Sequence, residues 1–114
     1  MTISVLHTDA NTVAQRLQAL SQLYRHGQAS ELMDRALDKL FQYEVDTSRS
    51  QLRQLENDLA EFERHYQMTS SDFYSRYTSG KTDDRMDFVE WASLVQMTDN
   101  LKRRIHLLGG VNQS

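Results

Sequence analysis

Apolar residues recur along this chain at intervals of three and four, the spacing of one face of an α-helix. Val13, Leu17, Leu20 and Tyr24 mark a first helix between Thr8 and Gly27. Gly27 stands where a helix C′ residue would, and Arg25 and His26 place positive charge in the last turn. Ser30 then caps a second helix, carried first by Met33, Leu37 and Leu40. From Phe41 the intervals alternate four and three through Val45, Ser48, Leu52, Leu55, Leu59, Phe62 and Tyr66, which is a coiled-coil seam. Ser48 and Gln51 have capping-box spacing, yet neither glycine nor proline interrupts there. The reading is one helix from Ser30 to Tyr66 with a weak point near Ser48.

The next boundary is sharper. Thr69 serves as N-cap with Asp72 at N3, and Met68 and Phe73 have the spacing of a hydrophobic staple. The short helix that follows stops at Gly80, and its apolar residues Phe73, Tyr74 and Tyr77 are all aromatic. A last helix starts near Asp83 or Asp84, carries Trp91, Leu94, Thr98, Leu101, Ile105 and Leu108 on one stripe, and closes at Gly109-Gly110. The expectation is an all-α protein, a single elongated domain over 1–114. Its parts are an N-terminal helix within 1–29, a long helix over 30–68, a short helix over 69–80 and a C-terminal helix over 83–108. The long and last helices form an antiparallel, coiled-coil-like hairpin with the short helix at its turn.

Length constrains that picture. A helix of about 37 residues is about 55 Å long, whereas a compact chain of this size has a radius of gyration near 13 Å. The last helix can cover Leu52, Leu55, Leu59 and Phe62. Met33, Leu37, Leu40, Phe41 and Val45 need helix one or another chain, which predicts a homo-oligomer.

Composition narrows the class. The chain of 114 residues has no cysteine, no proline and 4 glycines, which excludes a disulfide framework and disfavours a loop-rich or all-β fold. No apolar run reaches the length of a membrane span, and Met1 to Ala10 lacks a leader pattern, so a cytoplasmic protein without membrane contact is expected. A net charge of -3 argues against direct nucleic-acid binding.

Catalytic chemistry finds little support. The histidines His7, His26, His65 and His106 are scattered, and Glu61 with His65 reads as a solvated i,i+4 pair before it reads as a metal clip. No nucleophile motif and no glycine-rich phosphate loop is present. Asp83, Asp84, Asp87 and Glu90 suit the dipole at a helix start, and lack the loop pattern of a calcium site. Lys102-Arg103-Arg104 is the only basic run, and a solvated helix end accounts for it. The expectation is a protein with no catalytic residues, cofactor or metal. The anomaly is apolar breadth: Phe88, Val89, Trp91, Ala92, Leu94, Val95 and Met97 surround much of the last helix, where a hairpin buries one stripe.

The ordered motifs Phe62-Glu63-Arg64-His65-Tyr66-Gln67-Met68, Asp72-Phe73-Tyr74, Gly80 and Asp87-Phe88-Val89-Glu90-Trp91 resemble the TumA-like helical antitoxins, partners of TumE-like toxins in toxin–antitoxin operons. The match covers about 51–108. That family usually has glycine where Gln67 stands, and often Gly-Asp where Thr82-Asp83 stands. The resemblance implies an antitoxin that neutralises a cognate small toxin by direct contact. The heptads alone would also suit a structural coiled-coil oligomerisation or adaptor module. Phe73, Tyr74, Tyr77, Phe88 and Trp91, framed by Arg76 and Arg85, are the expected partner-binding face. Should these rings form an internal cluster instead, the partner surface lies along the exposed flank of the long helix.

Overall fold

The computed structural model describes residues 10–109. Thr8, His7, the leader reading on Met1 to Ala10, and Gly110 fall outside or at the edge of them. The helices are α1 (Ala10–Arg25), α2 (Glu31–Tyr66), α3 (Ser70–Thr78) and α4 (Met86–Leu107), with no strand among the described residues. The chain divides into two compact units between Leu40 and Phe41, a boundary inside α2.

Local chemistry sets each helix end. Ser30 Oγ accepts from Met33 N at 3.2 Å and Thr69 Oγ1 accepts from Asp72 N at 3.0 Å, so both predicted caps are present. Glu63 Oε2 accepts from Ser70 N at 2.8 Å, satisfying a second free amide of α3. α2 is continuous over 36 residues, straight through Ser48. It ends in a left-handed residue that is not glycine. Gln67 has φ 54, Met68 N donates to Glu63 O at 3.2 Å, and the Gln67 side-chain amide donates to Arg64 O at 2.7 Å. That is the reverse turn glycine normally provides. Gly80, at φ 72 with Lys81 N donating to Arg76 O at 2.8 Å, closes α3 by the same device.

In the unit from Phe41 onward, α2 and α4 run antiparallel. At one end Tyr66 Oη donates to Asp87 Oδ2 at 2.5 Å and the Phe62 ring stacks on Trp91 at 5.5 Å. At the other, Arg104 Nε donates to Ser48 Oγ at 3.2 Å and its guanidinium pairs with Glu44. Val45, Ser48 and Ile105 are buried there. Val45 therefore belongs to the hairpin seam, at 2 % exposure, and is unavailable to the oligomer contact predicted for it. α3 docks by stacking Phe73 on Trp91.

In the unit up to Leu40, Tyr24 Oη donates to Asp34 Oδ1 at 2.6 Å, joining the end of α1 to the first turn of α2. Leu20, Leu23, Met33 and Leu37 are half-buried, while Val13, Leu17, Leu32 and Leu40 stay exposed.

Candidate protein-binding surface

The turn between α2 and α4 is an aromatic cluster. Trp91 and Phe73 lie face to face, with centroids 4.0 Å apart and planes 1° from parallel, and are 0 % and 1 % exposed. Phe62, Tyr66, Tyr74, Tyr77 and Phe88 pack around them with Leu59, Met68 and Val95. Burying an indole requires a partner for its N–H; Trp91 Nε1 donates to Ser70 Oγ at 2.9 Å. Ser70 is thus fixed twice, through its amide on Glu63 and its hydroxyl on Trp91.

This placement takes Phe73 and Trp91 out of the expected partner face. Phe73 and Trp91 are withheld from solvent because α3 is too short to dock by anything but its large rings. Tyr74, Tyr77 and Phe88 are half-buried at the cluster's margin. Tyr74 Oη accepts from Gln96 Nε2 at 3.0 Å. Arg85 is engaged within the chain: Nε and a terminal nitrogen donate to Asp83 at 2.9 and 2.8 Å, and Cζ sits 4.7 Å above the Phe88 ring. Arg76 remains exposed.

The same clasp explains why α4 starts later than its sequence suggests. Arg85 is the N-cap residue without a side-chain cap of its own, and Asp83 Oδ1 accepts from Arg85 N at 3.1 Å. Asp83 and Asp84 precede the helix, leaving Asp87 as its first-turn carboxylate. The hydrogen bonds from the Arg85 side chain and then its amide hold Asp83 at about 2, below the ordinary 3.8. Tyr66 is raised, chiefly by donating its proton to Asp87. In the other unit, donation to Asp34 pushes Tyr24 from 10.0 to about 12.

Two flanks of the hairpin differ. On the α3 side a groove of about 540 Å³ runs among Glu56, Glu63, Ser71, Tyr74, Asp99 and Lys102. Thr98 lines it with a buried hydroxyl that has no hydrogen-bond partner among the described residues. On the other flank a carboxylate-rich hollow of about 450 Å³ is lined by Asp58, Glu61, Phe62, His65, Asp87 and Glu90. A second groove of about 550 Å³ there is lined by Leu55, Met97 and Leu101 with Gln51, Gln54, Asn100 and Arg104. Sequence reasoning noticed Met97 only as excess breadth of the α4 stripe. Met97 is 52 % exposed and Val89 is exposed, so that breadth is surface, while Trp91 and Ala92 are core.

Of the remaining candidates, Glu61 pairs with Arg64 at 3.6 Å. In the basic run, Arg104 is committed to Glu44 and Ser48 and Arg103 bonds Asn100. Among the described residues no group of three or more histidine or carboxylate side chains is placed to hold a metal, and no helix is long and apolar enough to cross a membrane. Leu37 is half-buried, and the adjacent Leu40 and Phe41 are exposed on α2. Comparison with protein families, curated proteins and solved structures finds no match to this chain.

Proposed function

We propose that this protein is a non-catalytic antitoxin that acts in the cytoplasm by binding a cognate small toxin through its α2–α4 hairpin. The observation that carries this reading is apolar surface left over after the core is complete. The aromatic cluster needs nothing further, yet Met86, Val89, Met97 and Leu107 of α4 remain exposed. Exposed methionine and aliphatic side chains beyond those the core requires suit a partner site on a small helical protein. The ordered motifs resembling TumA-like antitoxins supply the class of partner. The test is co-expression with the product of the adjacent reading frame. That product should arrest growth alone, be harmless beside this protein, and co-purify with it. An adjacent product that is harmless alone, or that stays toxic and unbound, overturns the reading.

A second reading is favoured by a different observation: Leu32, Leu40, Phe41 and Tyr43 are exposed along the first part of α2. Those exposed apolar side chains support self-association through Met33, Leu37, Leu40 and Phe41, so a homo-oligomer is proposed alongside the toxin contact. A chain that sediments as a monomer at all accessible concentrations overturns the oligomer.

A further inference from the structure

α3 fills only one side of the α2–α4 hairpin. On the other side the carboxylate hollow and the apolar groove lie in line. Leu55, Asp58, Phe62 and His65 are spaced three, four and three apart on α2, one helical flank. Glu90, Met97 and Leu101, spaced seven and four, share the corresponding flank of α4. From Glu90 to Leu101 the trough is about 17 Å long at helical rise, some three turns of a docked helix. Its two stretches differ in chemistry. The first is walled by Asp58, Glu61, Asp87 and Glu90, with no lysine or arginine among its lining residues. Three of these carboxylates have contacts within the chain: Gln54 to Asp58 at 3.1 Å, Arg64 to Glu61, and Tyr66 to Asp87. Glu90 has no ion-pair partner among the described residues. The second stretch is lined by Leu55, Met97 and Leu101, the side-chain amides of Gln51, Gln54 and Asn100, and Arg104, whose charge is paired with Glu44.

We propose that this trough seats an amphipathic helix of a partner protein, with lysine or arginine over Asp58, Glu61, Asp87 and Glu90 and an apolar ridge over Leu55, Met97 and Leu101. The sign of the partner follows from charge complementarity, since opposing potentials steer and register such contacts. Its helical form follows from the trough's walls, two antiparallel helices that leave room for an i, i+3, i+4, i+7 ridge. The inference rests on the toxin-binding reading only for who the partner is.

The test separates the two. A synthetic 18-residue leucine–lysine peptide of helical amphipathic pattern is titrated against the full-length protein by fluorescence anisotropy. Controls are a scrambled peptide of the same composition and a leucine–glutamate counterpart. The patterned lysine peptide should bind saturably. Met97→Asp, and separately the surface pair Asp58→Lys with Glu90→Lys, should each weaken it at least about tenfold. Absence of binding, equal binding of the scrambled peptide, or indifference to the surface pair overturns the trough. Loss of solution mass in Met97→Asp assigns the trough to a second copy and likewise overturns it. The adjacent-frame product is then assayed against the same variants. If it fails to bind the unaltered protein, the toxin reading falls while the peptide result still decides the trough. If it binds the variants undiminished, the trough is not the toxin's seat and the proposal falls with the toxin reading intact.

Discussion

The unit up to Leu40 and the unit from Phe41 are built from the same material, amphipathic helix with an apolar residue every three or four positions, yet they treat their large side chains differently. The later unit buries Trp91 and Phe73 completely and surrounds them with five further rings. The earlier one leaves Val13, Leu17, Leu32 and Leu40 exposed, with a tyrosine–carboxylate hydrogen bond at the end of α1. The difference is cover. From Phe41 onward the chain supplies three helices that close on one another, whereas before Leu40 it supplies one full helix and the start of another. An amphipathic stripe specifies a face to be buried, and whether burial happens depends on how many such faces the chain brings together.

Removing the cover is the most severe way to break that contrast. Trp91→Ala takes away the ring on which Phe73, Phe62 and Tyr66 stack and leaves the Ser70 hydroxyl without its donor. The expected loss is about 3–5 kcal/mol, a large part of the stability of a domain this size. Denaturant unfolding followed by circular dichroism measures it; a loss under about 1 kcal/mol would show that the cluster is not the core. Leu40→Asp probes the other unit. Leu40 is 52 % exposed, so the variant should keep its helix content and lose less than about 0.5 kcal/mol within one chain. Its sedimentation coefficient should fall as the proposed oligomer dissociates. An unchanged coefficient breaks the oligomer reading.

Gln67→Gly sharpens the comparison in the opposite direction, since the well-covered unit ends its longest helix on a residue ill suited to φ 54. Relief of a left-handed penalty of about 1–2 kcal/mol, offset by the greater freedom of glycine in the unfolded chain, should leave a gain of about 0.5–1 kcal/mol. A decrease in melting temperature would mean that the Gln67 amide on Arg64 O contributes more than the backbone strain costs.

The smallest effects are in pH, and they fall on opposite sides. Asp83 is depressed from 3.8 to about 2, so the stability its clasp with Arg85 provides is present above pH 3.8 and lost as pH falls from there toward 2. Tyr24 is raised from 10.0 to about 12, so its contribution is complete below pH 10 and lost as pH climbs from 10 to 12. Asp83→Asn should reduce only the acid limb and Tyr24→Phe only the alkaline limb of a stability–pH curve, the part due to Tyr66 on Asp87 remaining. Crossed behaviour would break the assignment.

Most of the fold was legible because its punctuation is local. Ser30, Thr69 and Gly80 act through residues within three or four positions of themselves, and their spacing alone located the helix ends. The continuity of α2 was legible for the same reason, since nothing near Ser48 supplies a stop. The start of α4 was not, because Asp83 caps it through the Arg85 amide and guanidinium before the helix begins rather than from its first turn. The candidate site was legible in part. Proximity to Gly80 showed that the five rings converge, but periodicity reports which residues share a face and not how many faces are covered. Which flank α3 would take, and therefore which flank would stay open at Leu55, Met97 and Leu101, depends on packing between segments far apart in sequence.

The burial of Trp91 also makes the molecule its own optical instrument. The chain has 1 tryptophan, and that indole lies in the middle of the aromatic cluster, shielded from water and bonded to Ser70. Its emission belongs to one place in the protein, so a shift to longer wavelength reports opening of the hairpin's turn and nothing else. A partner seated in the trough reaches Phe62, which stacks on that indole, but leaves the indole dry, so binding there should shift the emission far less than opening of the turn does. A partner that pries α3 away from the hairpin announces itself as a change of colour.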